Sequence, residues 1–313
     1  KFIVNLNQPK QKIHYAVPGY ETVEYLSQRP ECIELLAKPI GIKGKSLFRL
    51  RVFRFIQKSQ RERERLRKSA LNSLNAVQQI NDKSYIHNVS IMQLDTGDIV
   101  EISEWSDTGT LRDLILDCKQ GWPLDKALGV LNGIAKALQQ THKHLIIHRA
   151  VKPENILIIN NVPKLTNFDL AFQPEDERLT VIPDITRVQD DGYVAPELLS
   201  GDDIDETTDY FSLGVIAFQL LTGQKPFKNT RQFIANGGEL TAQNLEQLRV
   251  VKIPETLIKA LDELLVGNRM KRDKGMREFL LAISQDKPKM GKLRNARLEP
   301  GKVFDMKEII EFI

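Results

Sequence analysis

The sequence predicts an α+β chain with two lobes, in which a strand-rich part precedes a helix-rich part. Short runs of β-forming residues dominate the first hundred positions, and long stretches with apolar residues at helical spacing dominate the rest. The pattern changes at residues 104–109. We therefore predict a strand-rich lobe at 1–104, with 1–20 as a candidate extension, and a helical lobe at 105–285. Residues 286–313 form either a basic tail or the start of a following segment.

The first lobe contains five predicted strands and one helix. β-Forming residues fill the strands and turn residues bound them, as Gly41 and Gly44 do before the third. The predicted strands are residues 21–27, 32–40, 48–55, 90–94 and 99–103. Residues 61–80 are predicted as a helix, because apolar residues such as Leu66 and Ala70 recur at helical spacing.

The second lobe is predicted to be mostly helical. Residues 124–141 have a clear amphipathic pattern, and residues 207–221 are so apolar that we expect them to be buried. Shorter helices are predicted at 255–266 and 275–283.

Composition excludes several classes of protein. The 313 residues are 41% hydrophobic, which is enough for a sizeable core. Cys32 and Cys118 lack the spacing of a disulfide framework or a zinc site, so we expect a reducing, cytoplasmic location. We expect no membrane span, because no apolar run is long enough. Because the sequence begins at Lys1, we expect it to be part of a larger protein.

The net charge of +4 is mild and is concentrated in two segments, residues 57–68 and 287–302. We interpret them as a solvated helix face and a surface tail. Nucleic-acid binding through these segments is the alternative.

The segment HLIIHRAVKPENILI, residues 144–158, carries the strongest functional signal. It resembles the catalytic loop of protein kinases, H-R-D-L-K-P-E-N. The matching residues are His148, Arg149, Lys152, Pro153, Glu154 and Asn155.

Further motifs follow in the order of that family. Residues 164–171, KLTNFDLA, correspond to the segment with the metal-binding D-F-G triplet, and GYVAPELL at 192–199 is similar to the A-P-E segment. Residues 209–227 resemble the family's buried central helix. The resemblance implies structural roles for Ala195, Pro196, Glu197, Asp209 and Arg272, the last as the ion-pair partner of Glu197. The chain is thus identified as a degenerate member of the protein kinase-like superfamily, resembling Ser/Thr kinases, with a strand-rich N-lobe and a helical C-lobe.

The resemblance fails at positions that carry chemistry. Ala150 stands where the family has the catalytic-loop aspartate, and a methyl group cannot accept a proton. The D-F-G triplet is here Asn167-Phe168-Asp169. Asn167 and Asn155 offer only neutral oxygens, whereas magnesium prefers carboxylates. Asp169 lies two residues after the position of the family's D-F-G aspartate, and it is the alternative metal ligand.

The phosphate-binding elements also differ. The third strand has no lysine, and Arg51 or Arg54 stands in for it, depending on register. Counting back from His87 places the family's helix glutamate near Val77 or Gln78, where none is found. No glycine-rich loop lies between the first two strands.

These departures predict a pseudokinase domain that is not an enzyme and acts as a scaffold or allosteric regulatory module. We expect a protein partner or other domains of the same polypeptide, no bound metal, and ATP and magnesium binding that is weak or absent. The candidate nucleotide contacts are Arg51, Arg54, Glu104, Trp105 and Lys152. The alternatives are an atypical nucleotide-dependent transferase that uses Asp169 for metal, and a nucleic-acid-associated module.

Overall fold

A computed structural model describes residues 15–28, 32–42, 46–55, 58–87, 89–106, 108–117, 120–173 and 189–285. The predicted tail at 286–313, including the basic segment 287–302, lies outside these residues.

The strand-rich part is one antiparallel sheet with a helix packed against it. The sheet contains β1 (Tyr20–Gln28), β2 (Cys32–Pro39), β3 (Phe48–Phe53), β4 (Val89–Gln93) and β5 (Ile99–Glu104), in the order β1-β2-β3-β5-β4. Helix α1 (Gln60–Ile80) begins at a capping box between Ser59 and Glu62. Five strands and one helix are thus found close to the predicted positions.

The second part is helical around a buried central helix. Its helices are α2 (Leu111–Asp117), α3 (Leu124–Lys143), α4 (Pro196–Ser200), α5 (Thr207–Thr222), α6 (Thr230–Ala235), α7 (Ala242–Val250), α8 (Glu255–Leu264) and α9 (Arg269–Gln285). Helix α5 is buried on nearly all sides, as its apolar sequence predicted. Its neighbours α3, α8 and α9 pack around it. The predicted two-lobed α+β architecture is confirmed.

A short hairpin in the helical part was not predicted. Strands β6 (Ile156–Ile159) and β7 (Val162–Leu165) pair antiparallel. The turn between them is Asn160-Asn161, and both residues have positive φ, 51° and 62°. Asparagine tolerates this left-handed conformation, which two-residue hairpin turns require. The hairpin brings residues 166–170 back toward the sheet.

Candidate functional site

The candidate site is the cleft between the sheet and the helical part. Five pieces of chain meet there: strand β3, strand β5, one face of α1, the loop at residues 148–155, and residues 166–171 after β7. Of the residues predicted for the site, all lie at this cleft except Arg54 and the structural residues of the helical part.

Arg51 of β3 is the central cation of the cleft. Its guanidinium binds Asp169 through two contacts, Nη2–Oδ2 at 2.6 Å and Nη1–Oδ1 at 3.1 Å. Nη1 also donates to Glu101 Oε1 at 3.2 Å. Arg51 and Glu101 meet because they are direct partners in the β3–β5 register. Arg54 lies beyond the end of β3 and is not part of this cluster.

Burial shapes the protonation of this cluster. Arg51 is only 8% exposed and Glu101 only 1%. Burial lowers the pKa of Arg51, but the nearby carboxylates of Asp169 and Glu101 outweigh it and hold that pKa well above its usual range. Burial raises the pKa of Glu101, and Arg51 offsets only part of this effect. The arginine therefore stays charged and satisfies two acids at once.

Helix α1 reaches the cleft through Asn72. The Asn72 amide nitrogen donates to the carbonyls of Phe168, Asp169 and Ala171 at 2.8–3.2 Å. Asn72 is fully buried. The side chain that joins α1 to this segment is thus neutral. It lies more than a turn before Val77 and Gln78, where the resemblance places the family's glutamate.

Asp209 of helix α5 holds the catalytic-loop segment in place. The backbone amides of His148 and Arg149 donate to the Asp209 carboxylate at 2.8 and 2.9 Å, and His142 Nε2 lies 2.8 Å from it. Burial raises the pKa of Asp209, but the bond to His142 outweighs it and the net pKa is lowered. His148 also binds the Thr166 carbonyl, at 3.0 Å. Asp209 therefore positions the loop as an ionised anchor.

Two amides and Ala150 stand where the resemblance implies metal and proton chemistry. Asn167 Nδ2 donates to Asn155 Oδ1 at 2.7 Å, and Asn155 Nδ2 donates to the Ala150 carbonyl at 2.8 Å. Asn167 has a left-handed backbone, with φ of 62°. Its side-chain oxygen is buried and has no hydrogen-bond partner within the described part of the chain. The Asn155 oxygen is already occupied by an N–H donor.

The remaining candidate nucleotide contacts lie at the edges of the cleft. Lys164 Nζ binds Glu104 Oε1 at 2.6 Å, and Lys152 Nζ binds Asp191 Oδ2 at 2.9 Å. The Glu104 carbonyl lies 2.9 Å from His87 Nε2. The backbone N–H of Trp105 donates to the Leu47 carbonyl at 3.3 Å. Both lysines and the backbone after β5 thus have partners within the protein.

The structural residues meet deep in the helical part. Arg272 is fully buried and binds Glu197 through two contacts of 2.7 and 3.0 Å. Thr208 Oγ1 also donates to Glu197, at 2.9 Å. Pro196 opens helix α4, and Ala195 stands at its N-cap position.

Sequence reasoning missed Glu101, Asn72 and Lys164. A carboxylate inside the apolar run of β5 was a usable signal, because charged residues are rarely buried unless they are paired. Nothing in the sequence alone identified Asn72 or Lys164, since their roles depend on contacts between distant segments.

Comparison with known proteins agrees with this architecture. Residues 48–281 match the family model of the protein kinase domain. An Aurora kinase of Saccharomyces cerevisiae is 48% identical over 98 residues, which cover 30% of this chain and 25% of that protein. The serine/threonine-protein kinase PknB of Mycolicibacterium smegmatis is 34% identical over 127 residues, 40% of this chain and 20% of that protein.

A solved structure matches over a larger share. The chain is similar to a point mutant of the kinase domain of Mycobacterium tuberculosis PknI, with a TM-score of 0.60 and 21% identity. The match covers 87% of this chain and 96% of that one. The fold and the matched sequence define a protein kinase-like domain. The chain belongs to the protein kinase family, and it spans about a quarter or less of the length of the curated relatives it matches.

These comparisons contradict the prediction that the chain is not an enzyme. That prediction rested on Ala150, Asn167, the missing strand-three lysine and the missing glycine loop. The matched family model and the Aurora kinase and PknB relatives point instead to an active protein kinase. These departures from the family's motifs change the side chains that line the cleft. They do not remove the chain from a family of enzymes.

The residues in the cleft do not fit magnesium, which kinases use with ATP. Asp169 is held by Arg51, the Asn155 oxygen accepts an N–H, and the Asn167 oxygen is neutral. Across the described ranges, no three His, Cys, Asp or Glu side chains form a group suited to a metal. Within the same ranges, no helix is both long and apolar enough to cross a membrane.

Proposed function

We propose that this protein kinase domain acts as a regulatory module, which presents a fixed arrangement of its two lobes to a protein partner or to other domains of its own polypeptide. The observation that carries the proposal is the ion pair between Arg51 and Asp169. It joins β3 to the turn at residues 168–170 across the cleft, with bidentate geometry and little exposure to water. Bidentate arginine–carboxylate pairs add geometric specificity as well as energy. A module that acts through its shape needs such a connection.

The same pair bears on nucleotide binding. The phosphates of ATP would compete with Asp169 for Arg51, and Lys152 and Lys164 are also engaged in ion pairs. We therefore propose that ATP binds weakly and gains little from magnesium. A dissociation constant near 1 mM corresponds to about −4 kcal/mol. Because Asp169 is bound by Arg51, no contact in the described part of the cleft favours the transferase alternative.

Replacing Asp169 by asparagine tests the ion pair directly. The substitution preserves the shape of the side chain and removes its charge, so Arg51 becomes available to phosphate. We expect affinity for ATP to rise about tenfold, which equals about 1.4 kcal/mol. We also expect faster amide hydrogen exchange in β3 and at residues 168–170, because the connection between the lobes is weakened. Calorimetric titration with ATP, with and without magnesium, measures the first effect.

The matched control is Asp205→Asn, which removes a carboxylate paired with Arg269 at 3.1 Å in the helical part. This control leaves ATP affinity and exchange in β3 unchanged. An Asp169→Asn variant with lower ATP affinity, together with strong magnesium dependence in the wild type, would contradict the proposal and identify Asp169 as a metal ligand. Phosphoryl transfer from labelled ATP is measured in parallel. Transfer that disappears in Asp169→Ala would support the transferase alternative.

The regulatory role needs its own measurement, made on the longer polypeptide. If the lobes present a surface to other domains, exchange in the described part of the chain falls when the flanking segments are present. Identical exchange with and without those segments, and with and without candidate protein partners, would overturn the regulatory role while leaving the ion pair intact.

A further inference from the structure

A second cavity, separate from the cleft, lies at the end of the sheet beside α1. Its volume is about 420 Å³, near the lower end of the range for small-molecule pockets. Its lining comes from the segment before β1, the end of β3, the first turns of α1 and the β4–β5 connection. The lining residues are Tyr15, Ala16, Arg54, Phe55, Arg63, Leu94, Thr96 and Asp98.

Both oxygens of the one carboxylate among these lining residues accept hydrogen bonds from the protein. Asp98 is buried, and one of its oxygens accepts the Phe55 N–H at 2.7 Å. The other oxygen accepts the Tyr15 hydroxyl. Burial first, and then the bond to Asp98, raises the pKa of Tyr15 to about 12, so the phenol stays a donor to the carboxylate. Asp98 therefore fixes the wall of the pocket, and each of its oxygens already accepts a hydrogen bond from the protein.

The two arginines of the lining, in contrast, retain N–H groups that can donate to a ligand. Arg54 Nε is buried and has no hydrogen-bond partner among the described residues, whose ion pairs do not include Arg54. Leaving a buried donor without an acceptor costs about 1–3 kcal/mol, so the site favours an acceptor at this position. Arg63 donates its Nε to the Lys58 carbonyl at 3.0 Å, which holds its guanidinium at the wall of the pocket. Two guanidinium groups and one carboxylate thus line this space, so the lining carries an excess of positive charge.

We propose that this pocket binds a phosphate monoester. Guanidinium groups bind phosphate oxygens in a bidentate manner. The charge of two guanidinium groups matches a phosphate dianion better than it matches a ligand with a single carboxylate. Phe55 and Leu94 provide apolar walls for the carbon part of such an ester. The site lies outside the cleft, so the inference is independent of the Arg51–Asp169 pair.

Phenyl phosphate serves as the probe, and inorganic phosphate and benzoate separate the free anion and the carboxylate from the ester. We expect calorimetric titration at constant ionic strength to give at least tenfold tighter binding of phenyl phosphate than of benzoate. Inorganic phosphate binds more weakly than phenyl phosphate, because it lacks a stem for the apolar walls. Equal affinity for all three would overturn the proposal and indicate nonspecific attraction to positive charge.

Arg54→Gln should weaken phenyl phosphate binding at least tenfold, and Arg63→Gln several-fold. Arg54→Lys retains the charge without the planar fork, so its affinity falls between wild type and Arg54→Gln. The matched control is Arg61→Gln, which removes the same charge from an exposed position two residues away, where the helix faces another direction. Thermal melting verifies that each variant is folded. Equal losses in Arg54→Gln and Arg61→Gln, in folded proteins, would contradict the assignment of the site.

Discussion

The two lobes both bury an arginine against carboxylates, but they use these pairs differently. In the helical part Arg272 binds Glu197 between the segment at α4 and helix α9, and both residues belong to the same lobe. In the strand-rich part Arg51 binds Glu101 within the sheet and Asp169 across the cleft. The first pair is satisfied entirely by its own lobe. The second depends on how the lobes are arranged, so similar chemistry supports stability in one place and coupling in the other.

Among the variants that test this comparison, removal of Arg272 should cause the largest loss of stability. Arg272→Ala leaves Glu197 buried without its cation, so the free energy of unfolding falls by about 3–5 kcal/mol. Urea denaturation measures the change. Arg277→Ala is the control, because its pair with Asp273 is exposed and is worth less than about 1 kcal/mol. A double variant with Glu197→Ala should lose less than the sum of the single variants. Strictly additive losses would show that the two residues are not coupled.

The second prediction concerns pH and the strand-rich part. Burial, offset only partly by the Glu104 carbonyl, lowers the pKa of His87 to about 4. An unfolded histidine binds its proton near pH 6.5, so the unfolded chain takes up more protons between these values. The His87 contribution is therefore complete above about pH 6.5 and is lost as the pH falls toward 4, by about 3 kcal/mol at most.

Urea midpoints between pH 7.5 and 4.5 check this dependence. His87→Gln should flatten the profile without removing it, because burial also lowers the pKa of His148 in the helical part. If His87→Gln and the wild type lose stability in parallel, the acid sensitivity belongs to the helical part alone.

The smallest expected effect is that of Asn72, which links the two parts without charge. Asn72→Ala removes the donor to three carbonyls at residues 168–171 and leaves them buried, so we expect a loss of about 1–3 kcal/mol. Gln78→Ala, on the exposed face of α1, should stay within about 0.5 kcal/mol of the wild type. An Asn72 variant as stable as the Gln78 variant would leave Arg51 as the main connection across the cleft.

The sequence predicted elements better than contacts. Local periodicity identified α3 and α5, and the Ser59–Glu62 capping box marks a helix start that was predicted within one residue. The β6–β7 hairpin was missed although Asn160-Asn161 signals a tight turn. The position on α1 that faces residues 168–171 was misplaced because counting back from His87 assumed a short connection. The described residues 81–87 instead already make a longer link between α1 and β4.

Site residues were predictable where a motif carried them and not where distant segments met. The loop at 148–155 was identified from its sequence, because the spacing of its residues is local. The partners of Arg51 were not, because Glu101 is 50 positions away and Asp169 is 118 positions away. Such pairings depend on strand register and on the packing of the lobes, which sequence periodicity does not specify.

The two partners of Arg51 also have a consequence for biosynthesis. Glu101 lies on the same sheet, so the strand-rich lobe has a counter-ion for its buried arginine as soon as β5 has left the ribosome. Asp169 joins much later, after the chain has grown from position 101 to position 169, a further 68 residues. N-terminal units generally fold first during synthesis. The nascent lobe therefore does not bury Arg51 without a counter-ion. Glu101 thus gives Arg51 a counter-ion before the helical part is translated, and it keeps that contact in the complete fold.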